Sequence, residues 1–374
     1  MIIAVNTRLL LPGKIEGIGR FTLETLKLIT RNHPEHRFIF IFDRRFSDEF
    51  IFSHNITPVV CFPQARHPLL WYMFFEYGIP GVLKKFKPDL FLSPDGWLSL
   101  KASVKSLPVI HDLNFFQFPE FLPFHVRKYY HLFFPRFVNK AFRIATVSEF
   151  TRNDITSRFN YDSSKIDVVY NGARGFHPVS IDEAKRIRSQ YSRGSAYFLY
   201  VGLIHPRKNL TNLFIAYERF RNEINCNVKL LVAGSRKWWT SEMQKTFETN
   251  MWRDDIIFTG KVDDSTLNSL MASAVGLVYI SWFEGFGIPV LEAMYCDTPS
   301  ICSSTSSLPE VGGNAALYAD PADPDSVKSA MINLYKDPFL RSSLVEKAKI
   351  QREKFSWDRT AGLLWESIEK CINT

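Results

Sequence analysis

The chain is poor in cysteine, and nothing in the sequence pairs the few it has. Cys61, Cys226, Cys296, Cys302 and Cys371 are five in 374 residues, an odd number, and none forms a C-x-x-C. A disulfide framework and a cysteine-based zinc site are therefore excluded, and reduced thiols are expected. No run of 18 uncharged apolar residues occurs, so the sequence offers no membrane span. Residues 1–6 (MIIAVN) begin directly as a strand, without a basic leader or a cleavage site. A cytoplasmic setting is expected rather than secretion. Short repeats and low-complexity tracts are missing as well, which excludes solenoids. Carboxylates at alternate positions, a pattern that can hold a divalent ion, occur only as Asp323-Pro-Asp325. That segment precedes a helical pattern, where aspartates cap the helix and favour the positive end of its dipole. Asp254-Asp255 and Asp263-Asp264 read as turns. No metal ligands are expected.

Apolar residues make up 46% of the chain, enough for real cores, and the formal net charge is +8. The charge is unevenly placed. Residues 1–175 hold 23 Lys+Arg against 15 Asp+Glu, which is +8, and residues 176–374 hold 23 of each. The first half is thus suited to an anionic partner. It also carries aromatic-basic stretches, Trp71-Tyr-Met-Phe-Phe75 near Lys84, Lys85 and Lys87, and Tyr129-Tyr-His-Leu-Phe-Phe134 near Arg136, Lys140 and Arg143. Aromatics at a bilayer interface with cations over anionic headgroups would bind a membrane peripherally. Nucleic acid is not the expected partner.

Strand-like apolar runs recur at residues 2–6, 37–43, 58–62, 89–93, 108–112, 144–148 and 166–170, then at 197–202, 229–234, 256–260, 275–281, 299–303 and 316–320. Most are separated by amphipathic stretches such as residues 21–29. Strands alternating with helices imply α/β architecture with parallel sheets covered on both faces. The strands are too many for one doubly wound sheet, and two successive sets fit two Rossmann-like domains. Asn171-Gly172, Gly175 and Pro178 mark the boundary. The expected domains are residues 1–175 and 176–356, with a helix over 357–374.

In open α/β sheets, ligands bind beyond the carboxyl ends of the strands. One such place is Glu284-Gly-Phe-Gly-Ile-Pro-Val-Leu-Glu292, between a buried strand at 275–281 and a helix starting near Pro289. Gly285 and Gly287 allow a tight turn and close approach of a ligand. With Phe286 and Ile288, they lead into a helix N-terminus whose free N–H groups and dipole favour an anion. Two acids flank this phosphate cradle and can accept hydrogen bonds from hydroxyls, and phosphate plus polyol describes a nucleotide sugar. After residues 197–202 come Arg207 and Lys208 at a helix start, where cations oppose the dipole and need another reason to be present. Arginine clamps phosphate oxygens and lysine acts as a point charge. Glu16-Gly17-Ile18-Gly19-Arg20 reads as a glycine-rich loop that brings backbone N–H groups towards phosphate, and lacks the third glycine of a dinucleotide fingerprint. Residues 108–112 end in His111-Asp112.

Together these segments resemble family 4 of the glycosyltransferases with the two-domain GT-B fold, whose Glu-x7-Glu motif matches Glu284 and Glu292. The resemblance implies two Rossmann-like domains facing a cleft, with the last helix crossing back onto the first domain. It implies a retaining transfer of a hexose to a glycan or lipid-linked acceptor in bacterial surface polysaccharide synthesis. Residues 204–210 and 307–325 resemble mannosyl- or rhamnosyl-type transferases, with mannose from GDP-mannose as the leading donor. No cofactor or metal is implied beyond the nucleotide sugar. Arg207 and Lys208 would neutralise the donor diphosphate, Glu284 would hold sugar hydroxyls and Glu292 the ribose. Gly17 and Gly19 would face the donor, and His111 would lie near its sugar. Gly234 and Val262 belong to segments that line the base in relatives. Many relatives carry an arginine directly after the strand glycine, where this chain has Leu203. A nucleotide-sugar 2-epimerase of the same fold and a non-enzymatic two-domain binding protein remain as alternatives.

Overall fold

The structure is a computed structural model that describes residues 1–373. It divides into two compact units: Met1–Gly172 with the C-terminal stretch from Ser356, and Ala173–Phe355. The first unit holds β1 (Ile2–Asn6), β2 (Arg37–Phe42), β3 (Ile56–Val60), β4 (Leu90–Ser93), β5 (Lys105–Ile110), β6 (Ile144–Thr146) and β7 (Ile166–Val168). Among the described residues they form one parallel sheet in the order β3-β2-β1-β4-β5-β6-β7. Strands covered on both faces are apolar at successive positions rather than alternately. In β2 (RFIFIF), accordingly, Phe38 to Phe42 are all buried.

The second unit holds β8 (Tyr197–Val201), β9 (Lys229–Ala233), β10 (Ile256–Gly260), β11 (Gly276–Tyr279), β12 (Ser300–Ser303) and β13 (Ala316–Ala319). They are again parallel, in the order β10-β9-β8-β11-β12-β13. Both units are Rossmann-like, and each sheet reverses its strand order once, at β1/β4 and at β8/β11. Those switch points open a crevice beyond the carboxyl ends of the strands.

Two prolines explain where strand limits differ from the sequence pattern. Pro58 lies inside β3, which is an edge strand, where a missing N–H is tolerated. Pro108 lies inside β5, not at its start. β5 pairs with β4 through Lys105–Pro108 and with β6 only from Val109 onward, so the proline stands where the pairing changes hands.

The first helix, Gly17–Asn32, begins earlier than the pattern over residues 21–29 suggests. Gly17 and Gly19 are therefore in its first turn and not in a loop. The reason at Gly19 is packing, since a Cβ there would sit 2.9 Å from the Leu9 carbonyl oxygen. The aromatic-basic stretches are also largely interior: Phe74, Phe75 and Phe134 are buried, and Trp71 meets Trp97 edge-on at 4.7 Å. The last helix, Trp357–Ile372, joins the first unit and packs on helix Gly17–Asn32. The Thr360 hydroxyl donates to the Tyr170 carbonyl at 2.6 Å, and Lys105 Nζ to the Cys371 carbonyl at 3.0 Å.

Candidate active site

In the second unit, β8 and β11 are neighbours, and the chain leaves each through a short segment at its carboxyl end. Beyond β8 a 3₁₀ turn, Pro206–Lys208, is capped by His205, whose Nδ1 accepts from the Arg207 N–H at 3.1 Å. Asn209 follows in the left-handed region, and its side-chain amide donates to the carbonyls of Ile280 and Pro321 at 3.1 and 2.7 Å. That anchor ties the turn to the end of β11. Arg207 and Lys208 therefore face the segment containing Glu284.

Glu284 is buried, and both of its oxygens are engaged. Lys208 Nζ donates to Oε1 at 2.5 Å and Arg207 to Oε2 at 3.1 Å. Lys208 also donates to the Tyr279 hydroxyl at 2.6 Å, and Arg207 to the Phe283 carbonyl at 2.5 Å. Burial alone would raise the Glu284 pKa, but the Lys208 and Arg207 charges overcome it and hold the pKa down at about 2. The carboxylate is ionised at neutral pH, so two cations and one anion leave net positive charge. Burial and the same two cations lower the His205 pKa to about 4 and keep that imidazole neutral.

The next turn has a steric requirement for glycine. Gly287 sits at φ +112°, and a Cβ there would lie 2.5 Å from Leu308 Cδ2. Ser307 holds the turn from the next strand's loop, its hydroxyl donating to the carbonyls of Glu284 and Phe286 at 2.9 and 2.8 Å. Phe286 is buried edge-on against Phe355, with ring centroids 5.5 Å apart. The helix begins at Ile288, and Pro289 stands within its first turn. Gly234, at the end of β9, packs so closely on the Gly202 backbone that a Cβ would sit 1.8 Å from the Gly202 carbonyl oxygen. Val262 is half-buried in the loop after β10.

Glu292 does not share the cluster around Glu284. It is fully buried and receives two hydrogen bonds from Arg174, from Nε at 2.5 Å and from a terminal nitrogen at 2.7 Å. Arg174 also reaches Asp264 at 2.6 Å. Arg174, Tyr279 and His205 escaped the sequence reading. Arg174 lies in a boundary loop 118 positions from Glu292, so no local spacing links the two, and Tyr279 reads as one more apolar position in a buried strand.

In the first unit, His111 follows β5, and its Nε2 lies 2.8 Å from the Pro94 carbonyl. A carbonyl only accepts, so Nε2 carries the proton, and the neutral ring keeps Nδ1 as an acceptor. Burial lowers the His111 pKa and favours that neutral form. His111 lines a cavity of about 280 Å³ with Arg8, Asp95, Trp97, Asn114 and Tyr130. Arg8 pairs with Asp95 at 2.5 Å and lies over the Trp97 ring at 4.7 Å. The volume is near the lower end for a small-ligand pocket, about 300 Å³. Asp323 accepts from the Asp325 N–H at 2.9 Å and caps the helix Pro324–Lys336, while Asp325 pairs with Arg219 at 2.8 Å.

Comparison with known proteins gives two family models, one on each side of the boundary. "Glycosyltransferase Family 4" matches residues 15–174 and "Glycosyl transferases group 1" matches residues 182–351. O-antigen chain mannosyltransferase B of Escherichia coli is 29% identical over 356 residues, covering 92% of this chain and 93% of its own. O-antigen chain mannosyltransferase RfbU of Salmonella typhimurium is 29% identical over 285 residues, covering 76% of each chain. Among solved structures, sucrose-phosphate synthase of Thermosynechococcus elongatus superposes with a TM-score of 0.78 at 17% identity, over 99% of this chain and 98% of that one. Anabaena HepE, solved in complex with UDP and glucose, gives 0.75 at 15% identity, over 99% of this chain and 100% of that one. At those identities the structures establish the fold alone.

Proposed function

The chain belongs to glycosyltransferase family 4 and is a glycosyltransferase of the GT-B fold, and we propose that it moves mannose from GDP-mannose to a glycan or lipid-linked acceptor in surface polysaccharide assembly, with retention at the anomeric carbon. The observation that carries this reading is the arrangement of Arg207, Lys208 and Glu284 beyond β8 and β11. Cleavage of a nucleotide sugar leaves a diphosphate with extra negative charge and an oxocarbenium-like sugar. Arg207, Lys208 and the start of helix Ile288–Tyr295 stabilise that leaving group with charge fixed in advance by packing. Glu284 holds sugar hydroxyls and Glu292 the ribose, with two hydrogen bonds from Arg174 orienting the Glu292 carboxylate. The departing diphosphate oxygen takes the acceptor's proton on the same face as the new bond. His111 Nδ1 accepts from a sugar hydroxyl, and the cavity beside it takes a sugar of the acceptor. No metal is required. The O-antigen mannosyltransferase names of the relatives support mannose as the sugar and surface polysaccharide as the pathway.

Peripheral contact with an anionic membrane belongs to the same reading. Its support is the exposed set Leu69, Met73, Tyr77 and Phe124, beside Lys101 over Tyr77 and Arg127 over Phe124. The test of the function is a thermal-shift panel of GDP, UDP, ADP and TDP sugars, followed by transfer assays with the best donor. GDP-mannose is expected to bind best and to give an α-linked product, with equal activity in EDTA. Preference for a UDP sugar overturns the donor, a β-linked product overturns retention, and loss in EDTA restored by Mn²⁺ overturns metal independence. Free sugar epimerised at C2 without acceptor would favour the epimerase.

A further inference from the structure

Far from the chemistry, at the amino end of β2, the segment His33-Pro34-Glu35-His36 folds back on itself. The His36 N–H donates to the His33 carbonyl at 3.2 Å, closing a turn with proline at its second position. The closure brings the two imidazoles nearly parallel, 6.1 Å apart at 5°. Both rings lie on the indole of Trp365 from the last helix, at 3.6 Å and 15° for His33 and 5.2 Å and 17° for His36. Glu35 Oε1 stands 3.1 Å from His36 Nε2 and 3.8 Å from His33 Nδ1. Ligand atoms of all three side chains lie within 4.8 Å of one another.

We propose that His33, Glu35 and His36 bind a divalent transition-metal ion of the zinc type, which locks the turn before β2 in the conformation that stacks on Trp365 of the last helix. Two imidazole nitrogens and a carboxylate oxygen are ordinary zinc donors, at about 2.0–2.2 Å, with water able to complete a tetrahedron. Tetrahedral donors at those bond lengths stand about 3.3–3.6 Å apart, and the Glu35 oxygen already lies 3.1 and 3.8 Å from the two nitrogens. Trp365 stacks on the ring faces, which leaves the ring-edge nitrogens to coordinate. The rings are therefore oriented before any ion arrives, and little ordering cost remains. Coordination needs neutral imidazoles. Burial favours that form in His33, against the opposing fields of Glu35 and Glu369 and with that of His36. The site lies at the opposite end of the sheet from His111, so its role is structural. Catalysis without a metal is compatible with it.

Calorimetric titration of the metal-stripped full chain with ZnCl₂ tests the site, with thermal melts and kcat recorded in parallel. One saturable event is expected, with a higher melting midpoint and unchanged kcat. Glu35 is largely exposed, with 59% of its side chain accessible, so Glu35→Gln keeps the fold. It should weaken Zn²⁺ by at least about tenfold, since loss of even an outer partner costs about 10–100-fold. His33→Ala with His36→Ala should abolish binding. Quenching of indole fluorescence by Cu²⁺ should saturate with the same stoichiometry and lose that component in Trp365→Phe. No saturable Zn²⁺ binding, or unchanged affinity in Glu35→Gln and in the double variant, overturns the proposal. So does loss of binding on His67→Ala with His125→Ala, the other stacked histidine pair, with centroids 5.3 Å apart.

Discussion

Lys208 holds its ammonium between the Tyr279 hydroxyl and the Glu284 carboxylate, at 2.6 and 2.5 Å. A charge fixed in this way needs little reorganisation when a diphosphate leaves. Lys208→Ala is expected to leave a folded protein, because Arg207 still pairs with Glu284, and to lower kcat by about 10²–10³. Near-normal turnover at saturating donor would remove Lys208 from the leaving-group site. Arg174 differs in kind. Its partner Glu292 is fully buried, so Arg174→Met strands a carboxylate in the interior and should destabilise the protein by about 3–5 kcal/mol. Adding Glu292→Leu to it should recover most of that loss, while nucleotide binding stays impaired. Urea denaturation of the two variants, with calorimetry of GDP binding, separates these effects. Equal stability of Arg174→Met and wild type would refute the pairing argument.

At the scale of elements, the turn between β11 and helix Ile288–Tyr295 depends on a backbone shape and not on side-chain chemistry. Gly287→Ala puts a Cβ into Leu308 and forces φ +112° on a residue that resists it. The expected cost is about 1–3 kcal/mol, with weaker donor binding because Phe286 and Ile288 move with the turn. Gly362 supplies the comparison. It is exposed inside helix Trp357–Ile372, and a Cβ there meets nothing within 4 Å. Gly362→Ala should stabilise the protein by about 0.5–1 kcal/mol. A denaturation midpoint for Gly287→Ala that stays unchanged or rises with that of Gly362→Ala would show that the turn has no steric requirement for glycine.

For the whole molecule, the dominant feature is charge. The entire +8 excess belongs to residues 1–175, and among the described residues no helix is long and apolar enough to cross a membrane. The peripheral contact proposed above would be electrostatic in part. Such attraction is screened over about 10 Å at 0.1 M salt. Co-sedimentation with anionic liposomes should be appreciable at low salt and fall as salt is added, and Leu69→Ser with Phe124→Ser should reduce it. A protein that stays in the supernatant at low salt has no such surface, and its transferase activity is untouched by that result.

The sequence alone determined the two parallel α/β units, because strands buried on both faces must be apolar throughout and 39–42 (IFIF) or 230–233 (LLVA) can be little else. It also marked Arg207, Lys208, Glu284 and Glu292, because chemistry in such folds gathers at strand ends: the first three stand in the segments after β8 and β11, and Glu292 in the helix that follows β11. Tertiary structure decided which charge meets which. The two glutamates, eight positions apart, sit in different ion pairs, Glu284 with the turn after β8 and Glu292 with Arg174. It moved Gly17 and Gly19 from a loop into a helix, since contact with Leu9 is invisible to local pattern. It turned the aromatic-basic stretches mostly inward, because helix faces are chosen by what packs beneath them. Local periodicity fixes which elements form, whereas pairings across many tens of residues are fixed only when the sheets bring strand ends together.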